Sequence, residues 1–196
     1  MIAIINSGVA NISSVVFALQ RLGIAAEVTT DHRVITNASQ VILPGVGAAQ
    51  TAMKNLKDLN LTSLIPTLKQ PVLGICLGMQ LLYEASEEGD VACLGVIPGK
   101  IKKLVGKDLI IPHMGWNTLA LQKKSPLLEG IPGDAYVYFV HSYCASVSDQ
   151  TLALTHYGQD FSAIVQQDNF YAMQFHPERS GEIGERLLKN FAEIKS

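Results

Sequence analysis

The sequence predicts an α/β fold: a mostly parallel sheet with helices on both faces, extended by short antiparallel strands in its second half. Three observations lead there. Short apolar β-type runs alternate with amphipathic helical stretches from Ile2 to beyond Gln80, the pattern of a parallel sheet covered on both sides. One of those runs, Val72 to Ile75, ends in Gly74-Ile75-Cys76-Leu77-Gly78 and passes straight into a helical pattern. From about Leu94 the periodicity shortens, and turn pairs such as Pro98-Gly99 and Pro132-Gly133 separate short strands.

Taken in order, Ile2–Ile5 reads as a buried strand, followed by the loop Asn6-Ser7-Gly8-Val9-Ala10 and a helix from about Asn11 to Leu22. Val15, Leu19 and Leu22 form the apolar stripe of that helix, and Gly23 stops it. Ala25–Val28 and Val41–Leu43 are the second and third strands, the latter running into Pro44-Gly45-Val46-Gly47. Helical patterns cover Ala48–Leu56 and Leu61–Leu68. Beyond the Val72–Ile75 strand and its helix, the expected strands are Val96–Leu104, Trp116–Leu121, Tyr136–Val140, Leu152–Tyr157, Ala163–Gln167 and Phe170–Gln174. A last helix runs from near Glu182 to Ile194. No internal repeat or low-complexity linker interrupts the series, so 1–196 reads as one domain.

Composition narrows the function classes. Hydrophobic residues make up 48% and charged residues 16%, and the formal net charge is −2, which offers no general electrostatic reason to bind nucleic acid. Lys100, Lys102, Lys103 and Lys107 form a local cluster that reads as a solvated strand face. The N-terminal run Met1-Ile2-Ala3-Ile4-Ile5-Asn6 lacks the basic start and length of a secretory signal. No stretch approaches the roughly 20 apolar residues that span a bilayer. A cytoplasmic location is therefore expected. Cys76, Cys93 and Cys144 cannot all pair and fit no zinc spacing. Cys93 and Cys144 read as packing residues. His32, His141 and His156 form no metal-like group and read as surface or packing residues.

Gly74-Ile75-Cys76-Leu77-Gly78 has the form of a nucleophile elbow with sulfur at its apex. Its glycines leave room for a sharp strand-to-helix turn, and Leu77 offers a backbone N–H to an oxygen that becomes negative under attack. A thiolate there needs a base. Phe175-His176-Pro177-Glu178 supplies one, with His176 to move the proton and Glu178 to orient it. In extended backbone the two side chains share a side, and Pro177 keeps His176 out of the helical region. Pro44-Gly45-Val46-Gly47 ends a strand at the sheet edge where ligands gather. Its glycines permit positive φ, so this loop is expected to supply the second oxyanion N–H from Gly45, Val46 or Gly47.

Together these motifs resemble the class I (triad) glutamine amidotransferases, over essentially the whole chain. Pro112-His113-Met114-Gly115-Trp116-Asn117, Phe139-Val140-His141-Ser142-Tyr143 and Gln174-Phe175-His176-Pro177-Glu178-Arg179-Ser180-Gly181 are more specifically similar to the glutaminase subunits of imidazole glycerol phosphate synthases. The resemblance implies a Rossmann-like sheet, hydrolysis of L-glutamine to glutamate and ammonia, and no cofactor. It also implies a (β/α)8-barrel cyclase partner in a heterodimer serving histidine biosynthesis. Carried over, Cys76 is the nucleophile, His176 the acid and base, and Glu178 its orienter. Leu77 and Gly45–Gly47 bind the oxyanion, and Gln80, Ser142 and Tyr143 hold the substrate backbone. His113 and Trp116 lie in a segment that resembles the cyclase-facing edge, with a buried core Trp as the competing reading. The resemblance further implies that the Gly45–Gly47 loop is poorly poised until the cyclase binds its own substrate. Related glutaminases serving pyridoxal phosphate, purine or chorismate pathways are alternatives, as is a non-catalytic scaffold. One departure is Asn6, where relatives commonly carry aspartate; an amide brings no charge there.

Overall fold

A computed structural model of the chain describes residues 1–8, 11–106 and 109–195. Val9 and Ala10 of the first loop and Lys107 of the basic cluster lie outside them. The first half alternates β1 (Ile2–Ile5), α1 (Ile12–Arg21), β2 (Ala26–Thr29), α2 (His32–Asn37), β3 (Gln40–Gly45), α3 (Ala49–Asp58), α4 (Leu61–Leu64), β4 (Val72–Cys76) and α5 (Leu77–Leu81). The second half holds β5 (Tyr83–Ser86), β6 (Val91–Ala92), β7 (Ile97–Lys103), β8 (His113–Thr118), β9 (Ala120–Leu121), β10 (Tyr136–His141), β11 (Tyr143–Ala145), β12 (Thr151–His156), β13 (Asp160–Gln167), β14 (Phe170–Met173) and α6 (Gly181–Glu193).

The main sheet has strand order β2-β1-β3-β4-β14-β13-β12-β9. It is parallel from β2 through β14 and antiparallel from β14 to β9. Both faces of the parallel part are covered, which is why β1 is apolar at every position. Ile2 and Ile4 point into a core shared with Val15, Leu19, Leu187 and Phe191 of α1 and α6. Ala3 and Ile5 point into another, shared with Ile35, Leu56, Leu61 and Met79 of α2 to α5. A four-stranded sheet, β11-β7-β5-β6, and a two-stranded ribbon, β10-β8, complete the architecture.

The structure departs from the sequence expectations at several elements. α2 is unanticipated: it is one and a half turns long and buries only Ile35, although Asp31 caps it by accepting from the Arg33 and Val34 N–H groups. The expected 61–68 helix tightens into a 3₁₀ turn at Ile65–Thr67, where Pro66 sits in the first turn. The expected Trp116–Leu121 strand is two strands in different sheets, because the ribbon begins earlier, at His113, and β9 pairs with β12. Strands β5, β6 and β11 are short and were not expected. Lys100, Lys102 and Lys103 are exposed on β7, as expected.

Topology assembles the site. β3, β4 and β14 are parallel neighbours, with Gly45 opposite Cys76 and Ile75 opposite Met173. The loop after Gly45, the sulfur and the segment leading to His176 therefore emerge together at one carboxyl edge of the sheet, the usual ligand edge of open α/β folds.

Candidate active site

Cys76 stands at the apex of the β4–α5 turn with φ 53° and ψ −109°, a conformation side-chain-bearing residues rarely adopt. The surrounding glycines are there for space. A Cβ on Gly78 would lie 1.8 Å from the Leu43 carbonyl oxygen, and one on Gly74 would lie 2.8 Å from that of Gly78. α5 is only five residues long, so its dipole contributes less at the sulfur than a full helix would. The Cys76 thiol points to the Val140 carbonyl oxygen at 3.8 Å, and the Gln174 side-chain N–H approaches the sulfur at 3.9 Å.

His176 follows β14 in extended backbone, as its position before Pro177 requires. Pro177–Arg179 is a 3₁₀ turn, so the expectation that Glu178 continues an extended strand is corrected: proline favours a first helical turn, and that turn brings the carboxylate back under the ring. His176 Nδ1 and Glu178 Oε1 are 2.9 Å apart, with side chains 10% and 3% exposed. Ser180 fixes the backbone here: its hydroxyl donates to the His176 carbonyl at 2.7 Å and accepts the Tyr138 N–H at 3.0 Å. The His176 N–H in turn donates to the Tyr138 carbonyl at 2.9 Å.

Burial works against charge on His176, but hydrogen bonds and charge interactions with Cys76 and Glu178 outweigh it and push its pKa up to about 10. The raised value favours the protonated ring beside the sulfur.

Cys76 and His176 border a cavity of about 300 Å³ lined also by Val46, Gly47, Leu77, Gln80, Glu88, Pro112, Val140, His141 and Ser142. A larger groove of about 620 Å³ runs along Leu121–Glu129 and contains no cysteine or histidine. The cavity brings together Cys76, His176, Leu77, Val46, Gly47, Gln80 and Ser142, and Glu178 joins them through His176 without lining the cavity itself. Gly47 has φ +93°, whereas Gly45 stays in β3 and serves close packing, since a Cβ there would lie 2.9 Å from Leu77 Cβ. The positive φ expected of this loop therefore belongs to Gly47, and Gly45 is a spacer behind the cavity wall. Tyr143 contributes its carbonyl oxygen, which accepts from Gln80 Nε2 at 2.9 Å. With its other N–H on Gln174, Gln80 has its amide donors engaged inside the protein.

Two predicted partner residues separate. Trp116 is 55% exposed, which removes the buried-core alternative. His113 is only 3% exposed and stacks between Tyr157 and Phe139, so its side chain is not on the outer edge as expected: the ribbon's pleat turns it inward. His141, read as surface or packing, instead lines the cavity. Sequence reasoning also missed Glu88, whose Oε2 accepts the Ala49 N–H at 3.0 Å and caps α3 while its carboxylate borders the cavity. Asn6 makes a local turn, its Oδ1 accepting the Gly8 N–H. Cys144 is buried and Cys93 half-buried, and burial pushes both thiols up to about 11.

Comparison with known proteins is consistent across sequence and structure. The family model of class-I glutamine amidotransferases matches residues 3–194. A Vibrio cholerae protein named imidazole glycerol phosphate synthase subunit HisH is 49% identical over 199 residues, covering 98% of each chain. Its Bacteroides fragilis namesake is 51% identical over 195 residues, covering 98% of this chain and 99% of that one. Among solved structures, one described as a glutamine amidotransferase superposes with TM-score 0.76 at 20% identity, over 98% and 99% of the two chains. The Thermotoga maritima PurLQS structure gives 0.73 at 16%, over 97% and 96%. At those identities the structural likenesses speak for the fold.

Proposed function

The chain belongs to the class-I glutamine amidotransferases, and on that premise we propose that Cys76, His176 and Glu178 hydrolyse L-glutamine as the glutaminase subunit of an imidazole glycerol phosphate synthase in histidine biosynthesis. One observation carries the assignment of roles: His176, held 2.9 Å from the buried Glu178 carboxylate, shares a 300 Å³ cavity with the strained Cys76.

The Cys76 sulfur attacks the side-chain amide carbon of glutamine, and the carbonyl oxygen takes the negative charge. Leu77 and the Val46–Gly47 loop border that oxygen and supply backbone N–H groups. His176 gives its proton to the amide nitrogen, the C–N bond breaks, and ammonia leaves a glutamyl thioester. Water then attacks; His176 accepts its proton, the C–S bond breaks, and glutamate departs. Glu178 keeps the ring oriented throughout. Of the other residues lining the cavity, the Glu88 carboxylate suits the substrate ammonium, and Ser142 suits its carboxylate.

The partner we propose is a (β/α)8-barrel cyclase that consumes the ammonia, docked on the exposed Trp116 face in a heterodimer. No cofactor enters this chemistry. The three free thiols suit a cytoplasmic setting, and residues 1–196 act as one glutaminase domain. Among the described residues, no helix is long and apolar enough to cross a membrane.

A glutamine-like electrophile tests the assignment. Mass spectrometry should find it on Cys76 alone, with Cys93 and Cys144 unmodified, and Cys76→Ser should abolish both labelling and glutamine hydrolysis. Glutamine hydrolysis persisting in Cys76→Ser would refute the reading.

A further inference from the structure

Polar side chains outside the triad, two of which (Gln80 and His141) line the cavity, form one chain of hydrogen bonds whose direction is set at both ends. At the outer end, the Thr118 N–H donates to Asn117 Oδ1 at 2.8 Å, and Asn117 Nδ2 donates to the His156 carbonyl at 3.0 Å. A backbone N–H only donates and a carbonyl only accepts, so this amide cannot be turned over. Asn117 Nδ2 therefore also presents hydrogen to His113 Nε2, 3.3 Å away, which must be a lone pair.

At the inner end, His141 Nδ1 lies 2.9 Å from the Tyr143 carbonyl and must carry a proton. Its Nε2 sits 3.0 Å from His113 Nδ1. With His113 Nε2 accepting, His113 Nδ1 is the donor and His141 Nε2 the acceptor. All links agree on one assignment: both rings neutral, both protonated on Nδ1.

The Tyr143 carbonyl receives a second donor, Gln80 Nε2 at 2.9 Å. Gln80 also donates to Gln174 Oε1 at 3.0 Å, which leaves Gln174 Nε2 turned to the Cys76 sulfur at 3.9 Å. Gln174 is completely buried, and Gln80 is 4% exposed.

Resting on the glutaminase reading, we propose that His113 and His141 are positioning residues of this site: as a neutral, Nδ1-protonated pair they hold the Tyr143 carbonyl, and through it Gln80, which lines the substrate cavity, and Gln174, which approaches the sulfur. A proton added to His141 would set two N–H groups head to head with His113 and place a second cation in the cavity of His176. Apolar packing around the pair (Phe139, Tyr157 and Phe161 against the rings) opposes that charge.

The experiment has two arms, run on the full chain bound to its partner subunit. In the first, ¹⁵N-resolved NMR of the unsubstituted protein at neutral pH should show Nδ1–H and bare Nε2 for both rings. An Nε2–H tautomer or an imidazolium at either residue overturns the proposal. In the second arm, His141→Phe should raise KM for glutamine roughly tenfold with a smaller change in kcat, the scale of one hydrogen bond lost at a buried carbonyl. His141→Asn, whose amide N–H can replace Nδ1–H, should recover most of that loss. An unmoved KM in His141→Phe, or His141→Asn as impaired as His141→Phe, also overturns it. Absence of glutamine hydrolysis in the unsubstituted chain would instead sink the glutaminase reading, and the tautomers would still be readable.

Discussion

His141 and His176 line the same 300 Å³ cavity, and their protons are held in opposite directions. For His176, burial pulls the pKa down, but Cys76 and Glu178 more than reverse it and carry it to about 10. For His141, burial dominates over its hydrogen bond to the Tyr143 carbonyl and, with the nearby His113 and His176, lowers it to about 3. One pocket thus contains two histidines whose affinities for a proton are pushed in opposite directions, one raised and one lowered. Environments that push like groups apart are how acid, base and positioning roles are separated.

Stability should follow those directions. The His176 contribution is fully present below the ordinary histidine pKa of 6.5 and is lost as pH rises towards about 10. The lowered values of His113, about 4, and His141, about 3, act on the other side. Between 6.5 and about 4 the unfolded chain takes up protons that the buried rings refuse, so stability falls with falling pH. Thermal midpoints measured from pH 4 to 10 should give a dome, and Cys76→Ser should flatten its alkaline limb by removing the strongest influence raising His176. A His176 NMR titration centred near 6.5 would contradict this account.

Ser180→Ala removes one hydroxyl that satisfies two buried backbone groups, the Tyr138 N–H and the His176 carbonyl. The His176 carbonyl keeps the Arg179 N–H at 3.0 Å, but leaving the Tyr138 N–H unpaired should cost about 1–3 kcal/mol, read by urea unfolding. Because the same hydroxyl ties His176 to β10, kcat should fall more than the affinity for glutamine. Unchanged kcat with the full stability loss would limit Ser180 to a structural role.

The two loops of the cavity should answer differently to an added methyl group. In Gly78→Ala the Cβ would sit 1.8 Å from the Leu43 carbonyl oxygen, a backbone atom that cannot move aside without shifting β3. Soluble expression or the thermal midpoint should drop sharply. In Gly47→Ala nothing lies within 4 Å, but φ is +93°. The fold should survive at a cost of about 1–2 kcal/mol, while glutamine hydrolysis falls by up to about 10²–10³, the loss typical of one oxyanion donor. Equal effects on folding would refute the division between packing and oxyanion glycines.

What the sequence disclosed, and what it hid, follows from how far each signal reaches along the chain. Cys76 and His176 were legible because each carries its local geometry with it, a glycine-flanked elbow in one case and a proline-locked extension in the other. β1 was legible because a strand buried on both faces is apolar throughout. His113 was misread because β8 inverts the usual alternation: Met114 and Trp116 are exposed and His113 is buried. That inversion appears only once the pairing with β10 is known, since His113 lies opposite His141 and the two polar rings satisfy each other. Glu88 was hidden for a similar reason. It comes from the β5–β6 turn, and only tertiary structure brings it to Ala49 and the cavity rim.

The same inverted ribbon makes the last prediction. Trp116 pairs edge-on with Tyr138 at 5.9 Å, and Met114 and Tyr136 lie on that outer face, 63% and 59% exposed. Little of the fold depends on them: the inward face (Val137, Phe139, His141, His113) holds the ribbon to the core. Trp116→Ala should therefore change folding stability by about 0.5 kcal/mol or less. Exposed aromatic side chains gathered on one ribbon are typical anchors for a partner, so affinity for the proposed cyclase partner should fall by at least about tenfold, or about 1.4 kcal/mol. Titration calorimetry with that subunit, alongside urea unfolding of the free chain, separates the two effects. A large loss of stability with intact binding would return Trp116 to the fold and move the docking surface elsewhere.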